Sequence, residues 1–493
     1  MRSLRVAIVL AGATALVAAG SAPPALTLGL HLTACTVGKS KVPARCGTFV
    51  VYEDRDAGAG RAIALRLVVL RAEHPTGRAI FWNPGGPGAS AVAFAPFIAD
   101  GAIAKDLSQL RRRYDVVLVD NRGIGGTHAQ QCNLTPAAHP ETYFSQLWPD
   151  GLLAACRTRL ALNANLSLYG TSLAADDLDD IRAALGYSKI VLSGGSYGTF
   201  FALVYMRQHP DRVESAVLDG VAPPHLLIVP LEDAAGAELA MRDLIADCGR
   251  DAACDASFPR FAEHFAEVVR RFDKGPISIR IRNSMTKKPQ TVRLSKEVFA
   301  ERLRQALYDP GAAAYVPYIV ERAYHGDGVP LGVLVETVTQ GLAAEVALGL
   351  NLSVTCAEDI PFITEADVRR TSAHSFEGDV RVRAQQRACR IWNVDAVSSS
   401  FNVPVQSNAA VLMISGSDDP ATPAAFAAEQ LAYLPNAKRV LVKGAGHATE
   451  IPCTDRLKVA FVLAGSARGL DVSSCSGAFH RPRFQTSIAG LGD

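Results

Sequence analysis

The chain has 493 residues, 49% of them apolar and 20% charged, and its 50 Lys and Arg nearly balance 48 Asp and Glu for a formal charge of +2. This is too apolar and too evenly charged for a disordered chain, and it lacks the concentrated basic charge with which nucleic-acid binders neutralise phosphates, so no nucleic-acid partner is expected. Ten cysteines, an even number, never fall in a Cys-x-x-Cys spacing, which argues against zinc ribbons and thioredoxin-like redox sites.

The N-terminus has the layout of an export signal. Arg2 and Arg5 form a short basic region, residues 6–19 are an apolar run, and small residues follow at Ala18, Ala19, Gly20, Ser21 and Ala22. The run is shorter than the ~20 residues a bilayer requires. It predicts a signal peptide over residues 1–22 and a secreted or periplasmic protein with no membrane span in its mature form. Leu32-Thr33-Ala34-Cys35 resembles a lipobox and makes a lipoprotein anchored at Cys35 a minor alternative, although Pro23, Pro24 and His31 separate it from the apolar run. Export places the cysteines in an oxidising compartment, where an even set reads as disulfides. Neighbour pairing is the economical hypothesis: Cys35–Cys46, Cys132–Cys156, Cys248–Cys254, Cys356–Cys389 and Cys453–Cys475. Each would close a local loop worth ~2–4 kcal/mol, but the sequence alone does not choose the connectivity.

Residues 47–52 and 63–70 read as strands flanking a Gly/Asp turn. Short apolar strands then alternate with helices. Strands are expected at 79–82, 114–119, 189–192 and 213–218, and helices at 172–185 and 200–208, the first stopped by Gly186. This alternation predicts an α/β fold, with a mostly parallel sheet covered by helices on both faces. The pattern changes after 226. Helices are expected at 232–246, 257–272, 295–307, 312–324, 331–348, 364–373 and 378–392, with a two-strand interruption at 277–282 and 290–294. Strands return at 410–414 and 439–442, with helices at 424–434 and 456–464. One α/β domain, residues 23–225 and 405–493, is therefore interrupted by a mainly helical cap over 226–404.

The chemistry gathers at strand ends. Gly194-Gly195-Ser196-Tyr197-Gly198 follows a strand and precedes a helix, the context in which a sharp turn lifts a serine hydroxyl above a sheet. A serine hydroxyl is a weak nucleophile and needs a base held by an acid. His447, in Lys443-Gly444-Ala445-Gly446-His447, follows the last strand and is the candidate base. Ser415-Gly416-Ser417-Asp418-Asp419-Pro420 follows the preceding strand. Asp419 is the favoured acid there, Asp418 the fallback, and Asp219 at the end of an earlier strand a further alternative. Asn83-Pro84-Gly85-Gly86-Pro87-Gly88 follows another strand and can bring a bare backbone N–H to a reacting carbonyl. Gly86 and Tyr197 are the candidate oxyanion donors. The acidic run Asp176, Asp177, Asp179, Asp180 reads as a solvated helix face with first-turn charge.

Together with Asp120-Asn121-Arg122-Gly123-Ile124-Gly125 and Gly416–Pro423, these motifs resemble the secreted tripeptidyl aminopeptidase and prolyl aminopeptidase family of α/β-hydrolases, in order and spacing, from about residue 45 to 475. Pro84 stands where prolyl aminopeptidases often carry His, which leans away from strict proline specificity. The resemblance implies an α/β-hydrolase fold and a serine exopeptidase acting on peptides with a free N-terminus. It implies catalysis by Ser196, His447 and Asp419 through an acyl-enzyme, needing no metal or cofactor. An aminopeptidase must recognise an α-ammonium, so carboxylates are expected near the site. Glu358 and Asp359, beside Cys356 in the cap, are the candidates. The same triad serves ester hydrolysis, so a carboxylesterase is the alternative: acidic groups lining the pocket favour peptides, a purely apolar pocket esters. A binding protein on an inactive hydrolase fold is a third possibility, which an intact Ser, Asp and His set disfavours. Oligomeric state is not legible.

Overall fold

A computed structural model describes residues 27–136, 139–283, 286–447 and 449–487. The expected signal peptide lies outside them. Nine strands form one sheet: β1 (Gly29–Val37), β2 (Val42–Tyr52), β3 (Ala62–Leu70), β4 (Arg78–Asn83), β5 (Tyr114–Val119), β6 (Ile190–Gly195), β7 (Val213–Asp219), β10 (Ala410–Gly416) and β11 (Ala437–Val442). The remaining two, β8 (Ile277–Arg282) and β9 (Pro289–Leu294), form a separate antiparallel hairpin. The large sheet runs β1-β2-β3-β5-β4-β6-β7-β10-β11. Its first three pairings, β1–β2, β2–β3 and β3–β5, are antiparallel, and from β5 onward every pairing is parallel.

Side chains on a strand alternate between faces, and here both faces are apolar, as a doubly covered sheet requires. Phe81, Val117, Val119, Leu192 and Met413 join a core with the helices Thr171–Ala184, Tyr197–Gln208 and Ala424–Leu431. Their neighbours Ile80, Val116, Leu118, Val191 and Leu412 join the opposite core with the helices Ala91–Ala99 and Pro452–Ala464. Strand β4 lies between β5 and β6, so the chain winds first to one side and then to the other. Loops leaving the carboxyl ends of strands at such a reversal diverge and open a crevice. The loops after β4, β6, β7, β10 and β11 all leave that edge.

Between β7 and β10 the chain is largely helical, including Asp233–Arg250, Phe261–Arg271, Lys296–Ala306, Val329–Glu345, Leu348–Glu358 and Val380–Trp392. These helices have their own core around Phe265, Phe272, Phe299, Leu303 and Leu334, which also takes in Tyr143 and Phe144 from before the sharp turn at Ser196, the elbow. Two differences from the sequence expectation matter. The helix expected over 312–324 is two, Pro310–Ala313 and Val316–Tyr324, the second beginning around Pro317, which has no N–H to donate to a preceding turn. The helix expected over 331–348 stops at Glu345. Val346 then bridges to Ala89, and Ala347 N–H donates to the Gly88 carbonyl (2.9 Å) before the helix Leu348–Glu358 begins.

All ten cysteines are paired, as Cys35–Cys46, Cys132–Cys156, Cys248–Cys254, Cys356–Cys389 and Cys453–Cys475. The sulfur that a lipid anchor at Cys35 would need is thus bonded to Cys46. The acidic run is not a simple solvated face. Asp177 is buried and accepts two hydrogen bonds from the fully buried Arg122 (2.7 and 2.9 Å), and Asp179 pairs with Arg182. Distance in sequence, 122 to 177, hid that pair.

Candidate active site

The turn after β6 is built by glycine. Ser196 has φ 55° and ψ −125°, a conformation that costs a side-chain-bearing residue energy and is held only by its surroundings. Its N–H donates to the Asp219 carbonyl (2.9 Å). A Cβ at Gly194 would lie 2.3 Å from the Gly198 carbonyl oxygen, and one at Gly198 would lie 2.2 Å from that of Asn83. Only glycine lets the first helical turn, the turn itself and the end of β4 pass so closely.

His447 sits in the turn after β11. Its Nδ1 lies 2.9 Å from both carboxylate oxygens of Asp419, which follows β10. The buried Asp419 carboxylate also accepts from the N–H groups of Ala421 (2.8 Å) and Thr422 (2.9 Å) and from the Thr422 hydroxyl (2.7 Å). Burial alone would raise the Asp419 pKa, but the His447 charge and these donors hold it below the usual range. Burial alone would lower that of His447, but Asp419 raises it above the ordinary value. The cap secures the same residue: His447 N–H donates to the Tyr308 carbonyl (2.8 Å), and the two rings lie 4.8 Å apart.

The alternative acids are engaged elsewhere. Asp418 pairs with Arg481 and accepts from Ser417. Asp219 accepts from Lys458 Nζ (2.8 Å) and the Thr449 hydroxyl.

The loop after β4 lies on the elbow. A Cβ at Gly85 would come within 2.7 Å of the Gly195 carbonyl oxygen and 3.0 Å of Ser196 Cβ. The far end of the loop is tied by Asp120, which accepts from the Ser90 hydroxyl (2.7 Å), Val92 N–H (3.0 Å) and Arg66 (2.9 Å).

Gly86, Ser196, Tyr197 and His447 border one cavity of about 550 Å³. Its other wall belongs to the cap. Of the two carboxylates expected there, the structure separates the roles. Asp359 borders the cavity and is 5% exposed, and among the described residues its carboxylate forms no hydrogen bond or ion pair. Burial, then the charges of Glu358 and Asp233, push its pKa well above the usual range. Glu358 does not border the cavity. It is fully buried and accepts from Thr171 N–H (2.6 Å) and the Thr171 hydroxyl (2.7 Å), with a pKa that burial pushes up to about 7 against those bonds.

The sequence did not reveal a charged cluster on the same wall. Arg304 makes two bonds to Glu301 (2.8 and 3.0 Å), pairs with Asp233 (3.2 Å) and donates to the Tyr308 hydroxyl (2.7 Å). Arg381 lies 3.3 Å from Asp233 and 3.4 Å from Glu301. These residues come from three cap helices, and each alone reads as an ordinary charged helical position.

Geometrically, a strained serine, an imidazole held by a buried carboxylate, and the residues Gly86 and Tyr197 border one cavity. Such a set can transfer an acyl group.

The family profile of the α/β hydrolase fold matches residues 78–450. The chain is 26% identical to the serine protease Hip1 of Mycobacterium tuberculosis over 460 residues, covering 85% of each chain. It is 30% identical over 237 residues to carboxylesterase B of Mycobacterium tuberculosis, 43% of each chain. It is 30% identical over 199 residues to tripeptidyl aminopeptidase of Streptomyces lividans, 37% of this chain and 36% of that one. The chain belongs to the α/β hydrolase fold family, and within it is a serine hydrolase.

Proposed function

We propose that the protein is an exported serine aminopeptidase that releases short peptides or single residues from free N-termini. Ser196 attacks the scissile carbonyl while His447 takes its proton. His447 then returns the proton to the leaving amine, and water releases the acyl-enzyme. Asp419 orients the ring and stabilises the imidazolium. The N–H groups of Gly86 and Tyr197 receive the oxyanion. Export is supported by five disulfides and by the layout of residues 1–22.

The observation that carries the aminopeptidase reading is Asp359. A buried carboxylate normally has a cationic partner. This one borders the cavity and has none among the described residues, so a substrate α-ammonium would supply it. The N-terminus of the peptide would then lie against Asp359 with its scissile carbonyl at Ser196. Carboxylesterase activity with the same triad is the second reading, favoured by the local match to carboxylesterase B and by apolar lining from Trp148, Phe200 and Leu342.

The test is a panel of free and N-blocked mono-, di- and tripeptide reporters beside short-chain esters. Cleavage should be confined to free-amine peptides, and Ser196→Ala should reduce it by about 10⁶-fold. Equal turnover of blocked peptides, or turnover of esters alone, would overturn the aminopeptidase reading. Near wild-type activity of Ser196→Ala would overturn the nucleophile.

A further inference from the structure

Arg302 stands apart from the charged cluster beside it. It lies on the helix Lys296–Ala306, is 7% exposed and borders the cavity that holds Ser196. Its guanidinium makes two hydrogen bonds, both to neutral groups: Nε donates to the Thr339 hydroxyl (2.8 Å) and Nη1 to the Gln305 side-chain oxygen (2.9 Å). Among the described residues it forms no ion pair, and Nη2 has no hydrogen-bond partner. The opposing charge acting on it, Glu301, already has both oxygens engaged by Arg304 and one also by Gln305 (2.7 Å).

Taking a guanidinium out of water without a counter-charge is costly. Burial pulls the Arg302 pKa down to about 10, with Glu301 opposing and Arg381 and Arg304 adding to the fall, so the group is still charged at neutral pH. Thr339 and Gln305 engage Nε and Nη1, which leaves Nη2 as the unbonded nitrogen of a residue that borders the cavity. Arginine offers a planar fork of donors that fits a carboxylate.

We infer that Arg302 is a specificity residue whose Nη2 edge takes a carboxylate of the substrate peptide. The inference rests on the peptidase reading above and adds a second charged anchor to it. Asp359 would hold the ammonium end, and Arg302 an anionic group elsewhere on the same short chain. That carboxylate has two sources, an Asp or Glu side chain or the C-terminus of a short free peptide.

Two sets of substrate pairs separate the sources. One set differs only in Glu against Gln at each position around the cut bond. The other differs only in a free C-terminal acid against its amide. Cleavage is followed by chromatographic detection of products. In at least one set the carboxylate member should be favoured by about tenfold or more in kcat/KM, as expected for a charge-assisted hydrogen bond. Arg302→Gln should bring that ratio to about one, and Arg302→Lys should restore part of it. Arg302→Met, which keeps the aliphatic stem, serves if the Gln variant does not fold. A role limited to propping Thr339 and Gln305 would alter both members of a pair alike and leave the ratio standing, and that result overturns the inference. Wild-type ratios near one throughout overturn it without any variant. Peptides cut without carboxylate preference defeat this inference alone, whereas failure to cut any peptide defeats the peptidase reading and this inference together.

Discussion

Replacing Asp359 with Asn removes from the cavity wall a group that can ionise, while keeping its size. If Asp359 receives the substrate ammonium, the variant loses a charge-assisted hydrogen bond in a site shielded from water. Such a bond contributes about 1.5–3 kcal/mol, and 1.4 kcal/mol is a factor of ten. The preference for a free-amine tripeptidyl reporter over its N-acetyl counterpart, measured as a ratio of kcat/KM, should therefore fall by about 10- to 100-fold. The pH dependence follows from the same group. Burial, Glu358 and Asp233 hold the Asp359 pKa well above the usual range, so a neutral carboxyl must release a proton to bind an ammonium. KM for the free-amine substrate should fall as pH rises and this carboxyl ionises. It should rise again above about pH 8, where a peptide α-amine loses its charge. The acetylated substrate should show neither limb. Stability provides the folding control. An acid whose folded pKa is raised binds protons more tightly when folded, so its contribution is largest at low pH and declines as pH rises through the folded value. The variant should unfold at a temperature no lower than wild type at neutral pH. Equal loss of kcat/KM on free and acetylated substrates, in a protein of undiminished stability, would refute the ammonium role.

Glu358 permits a separate test of burial. Its pKa is pushed from 4.5 to about 7, so stability should drop by about 3 kcal/mol as pH rises across that interval. Glu358→Gln should flatten this slope in urea melts at pH 4.5 and 7.5; an unchanged slope would contradict the assignment. Thr422→Val removes the hydroxyl that donates to Asp419 (2.7 Å) and lies 3.2 Å from His447 Nδ1. It should lower kcat by about tenfold, while the acid limb of kcat/KM, set in wild type by an imidazole above its ordinary pKa, moves measurably. An identical kcat and pH profile would show that Thr422 does not tune the pair. Gly198→Ala places a Cβ 2.2 Å from the Asn83 carbonyl oxygen. Backbone against backbone cannot be relieved by a rotamer, so a loss of about 1–3 kcal/mol and a large fall in kcat are expected, and a variant with wild-type melting and rate would refute the close approach.

The fold was legible wherever a short segment carried its own reason. The strand at 114–119 is apolar apart from Asp115 because both sheet faces are covered, and its limits in the structure are the same. The turn at Ser196 was readable because glycine at 194 is demanded locally by the Gly198 backbone, while the demand at 198 comes from the distant Asn83 carbonyl. The edge strand Gly29–Val37 was missed: its residues are mixed in polarity, and pairing with β2 rather than burial forms it. Within the cap, Glu358 and Asp359 could not be told apart, since adjacent residues at a helix end differ in direction by about 100° and only tertiary packing decides which meets the cavity. The segment Lys296–Ala306 holds Glu301, Arg302 and Arg304, which by sequence suit a solvated helix face. All three are buried, because Asp233 and Arg381, far along the chain, meet two of them there. Arg302 gives no local sign of being the one left without a counter-charge.

The placement of these groups divides the work between two parts of the molecule. Sheet-edge loops carry Ser196, His447, Gly86 and Tyr197, a set that in the proposed mechanism would act on esters and amides alike. The cap supplies Asp359 and Arg302, and so would decide which acyl groups reach that set. It also grips the catalytic edge at several points, among them the Tyr308 carbonyl on His447 N–H, Ala347 N–H on the Gly88 carbonyl, and Glu358 on Thr171. A cap that swung fully open would release His447 and the loop after β4 along with the substrate. Entry with the cap in place is therefore the economical route. A cavity of about 550 Å³ is of small-ligand size, which favours a chain end over an internal loop of a folded protein. On that reading the choice between peptide and ester in this protein rests on a few cap side chains, and exchanging the charges at 302 and 359 should move specificity without touching the chemistry below.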